Sequence, residues 1–241
     1  MEIIFKDSVS STNDILYREH PSEDTALVAF SQTQGKGRKG RQFYSPSDTG
    51  LYMSVILHPD CIVQDAIKLT TIMAVASCRA LERYSTQTVG IKWVNDLYCN
   101  DKKIAGILTE CSANIVNQKP DYVVVGIGVN VYPPKDGFPE DIAKKAGSLL
   151  KTSYNADTRR DIARSILQEF ESMYETFPNT AYEREYIERS VLIGRKVQIV
   201  GGDVVTVIGI DDNLGLKVKD SNEKVITLTA GEVSLNLNNN E

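Results

Sequence analysis

The segment Gln34-Gly35-Lys36-Gly37-Arg38-Lys39-Gly40-Arg41 is the most informative stretch of this sequence. It places four cationic residues within six positions, interleaves them with three glycines and contains no acidic residue. Glycine lets backbone N–H groups approach a ligand closely, and such amides can form a concave site for an anion. Arginine can in addition form bidentate hydrogen bonds with a phosphate or a carboxylate. The segment therefore predicts an anion-binding loop.

Three other interpretations of this loop were weighed. Gly35, Gly37 and Gly40 fit the dinucleotide-binding pattern G-x-G-x-x-G, but that pattern needs a helix that begins inside it. Here the continuation, residues 42–47, disfavours a helix and the next predicted element is a strand. A P-loop is excluded because glycine, rather than serine or threonine, follows Gly35-Lys36. A solvated basic loop stays as the alternative, although glycine spacing between two apolar strands argues against it.

The segments around the loop predict an α+β fold with a mixed sheet. A helix begins at the capping box Ser11-Thr12-Asn13-Asp14, and Asn100-Asp101 reads as a hairpin turn. Apolar runs predict strands at residues 3–5, 25–30, 51–57, 89–93, 97–99, 104–109 and 122–125, the last ending at Gly126. Further helices are predicted at residues 63–84, 157–177 and 181–189.

The pattern of predicted secondary structure changes after residue 190. From Val191 to Leu237 the chain has only short β-rich runs, separated by the turn segments 201–203, 211–213 and 220–222. Such spacing predicts a small β-barrel, which at about 45 residues needs support from a neighbour. We therefore expect two domains, 1–189 and 190–241.

Composition narrows the function classes. The chain has 241 residues, of which 41% are hydrophobic and 24% charged, with 27 basic and 32 acidic residues and a net charge of −5. A protein that coats DNA would be basic overall, so a nucleic-acid-binding module stays only as a rival hypothesis. No apolar run approaches the roughly 20 residues of a membrane span, and no signal peptide is evident. Four scattered cysteines without zinc spacing indicate reduced thiols and a cytoplasmic location.

Two further segments carry chemistry-bearing residues. Lys92-Trp93-Val94-Asn95-Asp96 ends one predicted strand, and Lys103 begins another across the hairpin. The Asn-Asp pair is typical of an Asx turn, and Lys103 is either an edge charge or a ligand-facing cation. Gly126-Ile127-Gly128-Val129-Asn130 ends a third strand, where glycines serve a bulge, close packing or the approach of a flat ligand.

Taken together, these residues resemble the biotin protein ligases, also called biotin–acetyl-CoA-carboxylase ligases. The family loop of GRGRxGR type reads GKGRKGR here, and the family stretch KWPND…KxxGIL reads KWVND…KKIAGIL. Ser11-Thr12-Asn13 and Gly126 to Asn130 match two further family motifs in the same order. The resemblance covers residues 1 to about 135 and extends to the small C-terminal module. It implies the biotin–lipoate ligase fold, which is class II synthetase-like, with an SH3-like C-terminal domain.

The resemblance also implies an activity and its partners. Biotin and ATP give biotinyl-5′-AMP and pyrophosphate, with Mg²⁺ accompanying the triphosphate and no metal held by the protein alone. The biotinyl group then passes to a lysine of a biotin carboxyl carrier protein. No DNA or membrane partner is expected, a homodimer stays open, and the form lacks the N-terminal DNA-binding domain of some members. A lipoate ligase or octanoyltransferase of the same fold is the nearest rival.

Site roles carry over from the family to matching positions. Arg38 and Lys103 are the expected catalytic residues, and Asp96 is expected to orient a ligand, steer the acceptor lysine or fix the turn. The residues expected to bind biotin are Ser11, Thr12, Asn13, Gln32, Lys36, Gly37, Arg38, Lys103, Gly106 and Gly128. The residues expected to bind ATP are Arg38, Arg41, Phe43, Lys103 and Asn130.

Three positions depart from the family pattern. Lys36 replaces an arginine and loses its planar fork, and Val94 replaces a proline and loosens the turn. Phe43 stands where tryptophan is frequent and offers adenine a smaller face. The cationic loop is expected to be poorly ordered without ligands and to close over them.

Overall fold

A seven-stranded mixed sheet organises the larger part of the chain. The computed structural model describes residues 1–113, 119–152, 157–178, 182–229 and 231–235. In chain order the strands of this sheet are β1 (Glu2–Lys6), β2 (Thr25–Ala29), β3 (Gly50–Leu57), β4 (Gly90–Lys92), β5 (Asp96–Cys99), β6 (Lys102–Ala113) and β7 (Pro120–Asn130). Their spatial order is β1-β2-β3-β7-β6-β5-β4. The β1–β2 pair is parallel and the other neighbouring pairs are antiparallel.

Helices cover both faces of the sheet. The helices are α1 (Thr12–Glu19), α2 (Ala66–Glu82), α3 (Glu140–Ala143), α4 (Thr158–Tyr174) and α5 (Glu183–Glu188). On one face α2 and α4 pack together over the main apolar core. On the other face Leu16 of α1 packs against Leu27, Ile56 and Val124, which are fully or almost fully buried. Because both faces are covered, β2 and β3 read as continuous apolar runs rather than alternating ones.

Most predicted elements of this part are confirmed. Ser11 is the N-cap of α1, with its hydroxyl accepting from the backbone N–H of Asp14 at 3.4 Å. Asn100 and Asp101 form the turn between β5 and β6 with φ of 51° and 57°, as a two-residue hairpin turn requires. The helix predicted at 63–84 begins later, because residues 63–65 form a 3₁₀ turn before α2.

The prediction that the strand at 122–125 ends at Gly126 is wrong. Strand β7 continues to Asn130, and its glycines are paired on both sides: Gly126 with Ser54 of β3 and Leu108 of β6, and Gly128 with Tyr52 and Gly106. Antiparallel neighbours supply the backbone hydrogen bonds, so the missing side chains open space above the sheet without ending the strand.

The C-terminal residues form a separate five-stranded antiparallel sheet, consistent with an SH3-like domain. Its strands are β8 (Lys196–Ile199), β9 (Val204–Ile210), β10 (Leu216–Lys219), β11 (Val225–Leu228) and β12 (Val233–Leu235). The predicted turn segments fall between these strands, and the predicted α+β fold class is confirmed. Among the described residues no helix is long and apolar enough to cross a bilayer. The four cysteines are free, and Cys61, Cys78 and Cys99 are buried.

Candidate functional site

Two adjoining cavities open above strands β6 and β7. The first, called here the polar pocket, is lined mainly by uncharged residues that include Ser11, Thr12, Asn13 and Gln32, and Lys36 is the cation in its lining. The second, called here the cationic cavity, is lined by Lys36, Arg38, Lys39, Arg41, Lys92 and Lys103 with the two carboxylates Asp96 and Glu232. The two linings share Lys36, Phe43, Gly106 and Leu108, so the polar pocket leads directly into the cationic cavity.

A hydrogen-bond network fixes the side chains of the polar pocket. The buried Ser54 hydroxyl lies 2.6 Å from Asn13 Oδ1 and 2.7 Å from Thr12 Oγ1. Because the Asn13 carbonyl oxygen can only accept, the Ser54 proton goes to it, and the Thr12 hydroxyl donates to Ser54. Asn13 Nδ2 donates to Glu110 at 2.9 Å and to the Leu108 carbonyl at 3.3 Å. The Asn13 amide is thus already engaged by the protein and holds α1 against the sheet.

Gln32 links the polar pocket to the cationic loop. Its Oε1 accepts from the Thr12 backbone N–H at 2.8 Å, and its Nε2 donates to the Ser45 hydroxyl at 3.3 Å. Ser45 in turn donates to the Phe43 carbonyl at 2.8 Å. The pocket and the base of the loop therefore share one chain of hydrogen bonds.

The cationic loop is a short hairpin between β2 and β3. The Phe43 N–H donates to the Gly35 carbonyl at 2.9 Å, and the Gly37 N–H donates to the Arg41 carbonyl at 2.7 Å. Residues 38–40 form a single 3₁₀ turn, in which Lys39 has φ of 56° and Gly40 of 73°. No longer helix begins inside this described segment, in agreement with the exclusion of a dinucleotide fingerprint.

Arg38 and Lys103 face the same cavity from different elements. Arg38 Nη1 donates to Asn95 Oδ1 at 3.0 Å. Asn95 is itself fixed to β6, because its Nδ2 donates to the Ile107 carbonyl and its backbone carbonyl accepts from the Ile107 N–H, both at 2.8 Å. Lys103 Nζ lies 2.7 Å from Asp96 Oδ1 and 6.0 Å from the centre of the Phe43 ring. Asn95 and Asp96 thus hold the two cations that the sequence predicted to be catalytic.

Two further loop cations, Lys36 and Arg41, have partners outside the loop. Lys36 pairs with Asp14 of α1, and this hydrogen bond raises the pKa of the lysine. Arg41 Nη1 lies 2.6 Å from Glu232 Oε1 in the turn before β12, and this contact lowers the pKa of Glu232. The C-terminal sheet therefore supplies a wall of the cationic cavity. Glu232 was missed because it lies 191 residues from Arg41 and no local motif marks it.

Glycines form the floor where the two cavities meet. Gly106 and Gly128 are register partners in β6 and β7, and the ring of Phe43 lies above them. A Cβ on Gly128 would come within 2.7 Å of that ring, and one on Gly126 within 1.8 Å of Asn13 Oδ1. The Phe43 ring and the Asn13 amide therefore occupy the space next to Gly128 and Gly126, and a side chain at either glycine would collide with them.

Asn130 lines neither the polar pocket nor the cationic cavity. Every other predicted site residue, all of them within the described part of the chain, lines at least one of the two. Asn130 Nδ2 donates to the Gly147 carbonyl at 3.0 Å. The Gly147 N–H donates to the Lys103 carbonyl at 2.8 Å, so Asn130 is joined to Lys103 through the segment 145–147. Asn130 therefore stands beside the cationic cavity, at the same end of the sheet as Lys103.

The turn that carries Asn95 and Asp96 is anchored from two sides. Trp93 Nε1 donates to the Leu214 carbonyl of the C-terminal sheet at 2.8 Å. The buried Tyr186 hydroxyl of α5 donates to the Val94 carbonyl at 3.0 Å. These bonds fix the turn at the position where the family pattern has proline and this chain has Val94.

The described residues include no group of three or more His, Cys, Asp or Glu side chains placed to hold a metal ion. The two carboxylates of the cationic cavity are instead engaged by Lys103 and Arg41.

Comparison with known proteins identifies the family. Residues 5–130 match the biotin/lipoate A/B protein ligase family. The chain is 31% identical to the bifunctional ligase/repressor BirA of Bacillus subtilis over 97% of this chain and 74% of that protein. It is also 31% identical to the biotin–[acetyl-CoA-carboxylase] ligase of Mycobacterium tuberculosis, over 92% of this chain and 85% of that protein. A third relative, BirA of Bacillus spizizenii, is 36% identical over 73% of this chain, and the match spans 54% of its length.

The overall structure is similar to a solved ligase. The biotin protein ligase of Aquifex aeolicus in complex with biotin and ATP superposes with a TM-score of 0.80 and 26% identity, covering 97% of this chain and 98% of that chain. The similarity therefore includes the C-terminal sheet as well as the mixed sheet. On these findings, the chain belongs to the biotin/lipoate A/B protein ligase family.

Proposed function

We propose that this chain is a biotin protein ligase, which activates biotin with ATP and transfers it to a lysine of a biotin carboxyl carrier domain. The observation that carries the proposal is the junction of a largely uncharged polar pocket with a cationic cavity, with Lys36 in both linings. This arrangement suits a carboxylic acid with a neutral, hydrogen-bonding head group. The head group would lie in the polar pocket, and the carboxylate would reach the cationic cavity. We also infer that residues 1–189 form the catalytic domain and residues 190–241 a small domain that contributes Glu232.

The polar pocket favours the ureido ring of biotin over an aliphatic acyl chain. A ureido group has two N–H donors and one carbonyl acceptor, which hydroxyl and carboxamide groups such as those of Thr12 and Gln32 can satisfy. The end of an octanoyl or lipoyl chain has no such groups, so it could form no hydrogen bond with the polar lining of the pocket. Lipoate and octanoate are therefore the second candidate substrates.

The cationic cavity supports the adenylation step. A biotin carboxylate oxygen attacks the α-phosphorus of ATP, the new O–P bond forms, and the bond to the bridging β-phosphate oxygen breaks to release pyrophosphate. Two unit charges about 4 Å apart repel by about 1 kcal/mol in water and about 4 kcal/mol at an effective dielectric of 20. Arg38 and Lys103, held in place by Asn95 and Asp96, offset this repulsion and stabilise the charge that develops on the phosphate.

The transfer step uses the same groups. The ε-amine of the acceptor lysine attacks the biotinyl carbonyl, the bond from that carbon to the phosphate oxygen breaks, AMP leaves with the electron pair, and the proton of the amine passes to water. Asp96, paired with Lys103, is the carboxylate placed to orient the incoming amine. Phe43, Arg41 and Asn130 border the cavity and would contact the adenylate. The nucleotide enters as its Mg²⁺ complex, in which phosphate oxygens and water supply most of the metal ligands.

Incubation with biotin, ATP, Mg²⁺ and an isolated biotin carboxyl carrier domain tests the proposal. We expect the mass of the carrier domain to increase by one biotinyl group, and the increase to disappear when its acceptor lysine is replaced. Lipoate and octanoate run in parallel as competing acids. An acceptor that gains lipoyl or octanoyl but no biotinyl group would assign the chain to the second candidate function.

Loop closure gives a second prediction. The tip residues Lys39 and Gly40 are exposed and Arg38 half-buried, so trypsin can reach the bonds after Arg38 and Lys39. We expect biotin and ATP together to slow cleavage there by about tenfold or more, since ligands compensate the loop cations and bury its backbone. Cleavage after the exposed Lys224, in a turn of the C-terminal sheet, serves as the control. Equal rates at the loop with and without ligands would refute closure.

A further inference from the structure

Lys92 is a buried cation that the proposed chemistry has not used. It is the last residue of β4, only 9% exposed, and lines the cationic cavity together with Arg38 and Lys103. A buried ammonium is costly unless an opposite charge compensates it. Its placement in a ligand cavity therefore calls for an anion.

Asp96 and Glu232 attract this ammonium from a distance, but neither forms an ion pair with it among the described residues. In the part of the chain that the structure describes, no carboxylate lies within 4.0 Å of the Lys92 ammonium and no hydrogen bond engages it. The Lys92 backbone is paired with Asp96 across β4 and β5, but the Asp96 carboxylate is taken by Lys103 at 2.7 Å. The ammonium instead lies 5.8 Å from the centre of the Tyr98 ring. Burial accordingly lowers the pKa of Lys92.

The position of Lys92 along the two cavities indicates which anion it meets. Lys92, Arg41 and Glu232 line the cationic cavity and not the polar pocket, so they lie at the cationic end of the two joined cavities. Arg41, Lys92 and Lys39 all lower the pKa of Glu232, which shows that an anion at this end is attracted by three cations. Beyond the α-phosphate, the anionic groups of ATP are its β- and γ-phosphates.

We propose that Lys92 binds the β- and γ-phosphates of ATP and stabilises the pyrophosphate that leaves in the adenylation step. This inference rests on the proposed function. As the bond between the α-phosphorus and the bridging oxygen breaks, its electron pair goes to the pyrophosphate oxygen. The Lys92 ammonium donates a hydrogen bond to the departing phosphates and gives up no proton. A compact ammonium suits this role as a point charge toward phosphate.

The role is confined to the first half-reaction, because transfer from biotinyl-5′-AMP releases AMP and no pyrophosphate. Lys92→Met removes the charge while keeping the apolar stem, and replacing a buried charge by an apolar side chain is often tolerated by the fold. Lys92→Arg keeps the charge with a bulkier head. Lys217→Met, on the exposed face of β10, is the matched control.

Three rates are compared for each variant: biotinyl-5′-AMP formation from biotin and ATP, ATP formation from biotinyl-5′-AMP and pyrophosphate, and transfer from supplied biotinyl-5′-AMP to the carrier domain. For Lys92→Met we expect the first two to fall by about 10²-fold or more and the third to stay within about twofold of wild type. Lys92→Arg should recover part of the loss, and Lys217→Met should match wild type.

Several outcomes would overturn the inference. Adenylation that is unchanged in Lys92→Met removes Lys92 from the phosphate site. Loss of transfer alone places Lys92 with the acceptor lysine, and equal loss in both half-reactions means that it supports the fold of the site. If wild type itself forms no biotinyl-5′-AMP, the proposed function fails instead, which is a different result from any of these.

Discussion

Replacing Arg38 with alanine is expected to lower the rate of biotinyl-5′-AMP formation by about 10²–10³-fold, the usual effect of removing one preorganised donor to a developing charge. Arg38 is half-buried and already oriented by Asn95 Oδ1 at 3.0 Å, so its guanidinium need not reorganise when substrates arrive. The Arg38 side chain also lies in the same cavity as Lys103. The loss should therefore appear in single-turnover adenylation rather than in the fold.

The measurement is single-turnover adenylate formation, with thermal unfolding as the check on folding. Arg38→Lys should fall between wild type and Arg38→Ala, because lysine keeps the charge without the planar fork. Arg184→Ala is the control, since Arg184 on α5 is 88% exposed and pairs only with its helix neighbour Glu188 among the described residues. Steady-state biotinylation that is unchanged in Arg38→Ala would remove Arg38 from its proposed role.

The local parts of the site were predictable from sequence because each lies on one short segment. The glycine-spaced cations of residues 35–41 and the capping box at Ser11 depend on neighbours within a few positions, and local motifs describe such neighbours well. The two-residue turn at Asn100-Asp101 is similar, because its backbone conformation is set by the turn residues themselves. These features could be placed without knowing the fold.

The parts that were missed depend on distant segments. Glu232 reaches Arg41 across 191 residues, and the role of Asn13 is set by Ser54 and Glu110, which are 41 and 97 residues away. The sequence marks Asn13 as a candidate for binding biotin directly. Its hydrogen bonds to Ser54, Glu110 and the Leu108 carbonyl also hold α1 against the sheet, a role that no local pattern could reveal.

Strand β7 shows how a local rule can fail. Glycine weakens an isolated strand, so Gly126 was taken as its end, yet pairing with β3 and β6 on both sides carries the strand on to Asn130. The glycines leave room for side chains that pack on the face of the sheet. At Gly126 that neighbour is the amide of Asn13, and at Gly128 it is the ring of Phe43.

Gly126→Ala is expected to reduce both biotin affinity and stability. The added methyl would come within 1.8 Å of Asn13 Oδ1 and 3.1 Å of Ser54 Oγ, and both neighbours are buried, so α1 has to move. Such overpacking costs about 1–3 kcal/mol of unfolding free energy. Displacing α1 also breaks the Ser54–Thr12 contact that shapes the polar pocket, and a comparable loss in binding free energy corresponds to about tenfold or more in biotin affinity.

Gly209→Ala is the control for Gly126→Ala. It shows whether a loss of stability and biotin affinity comes from the position of Gly126 or from any alanine that replaces a strand glycine. Gly209 lies in β9, and a Cβ there meets nothing within 4 Å, so this variant should unfold and bind biotin like wild type. Denaturant titration gives the stability of each variant, and calorimetric titration gives its affinity for biotin. If Gly126→Ala loses stability but binds biotin with wild-type affinity, α1 and its Asn13 contacts do not shape the biotin site.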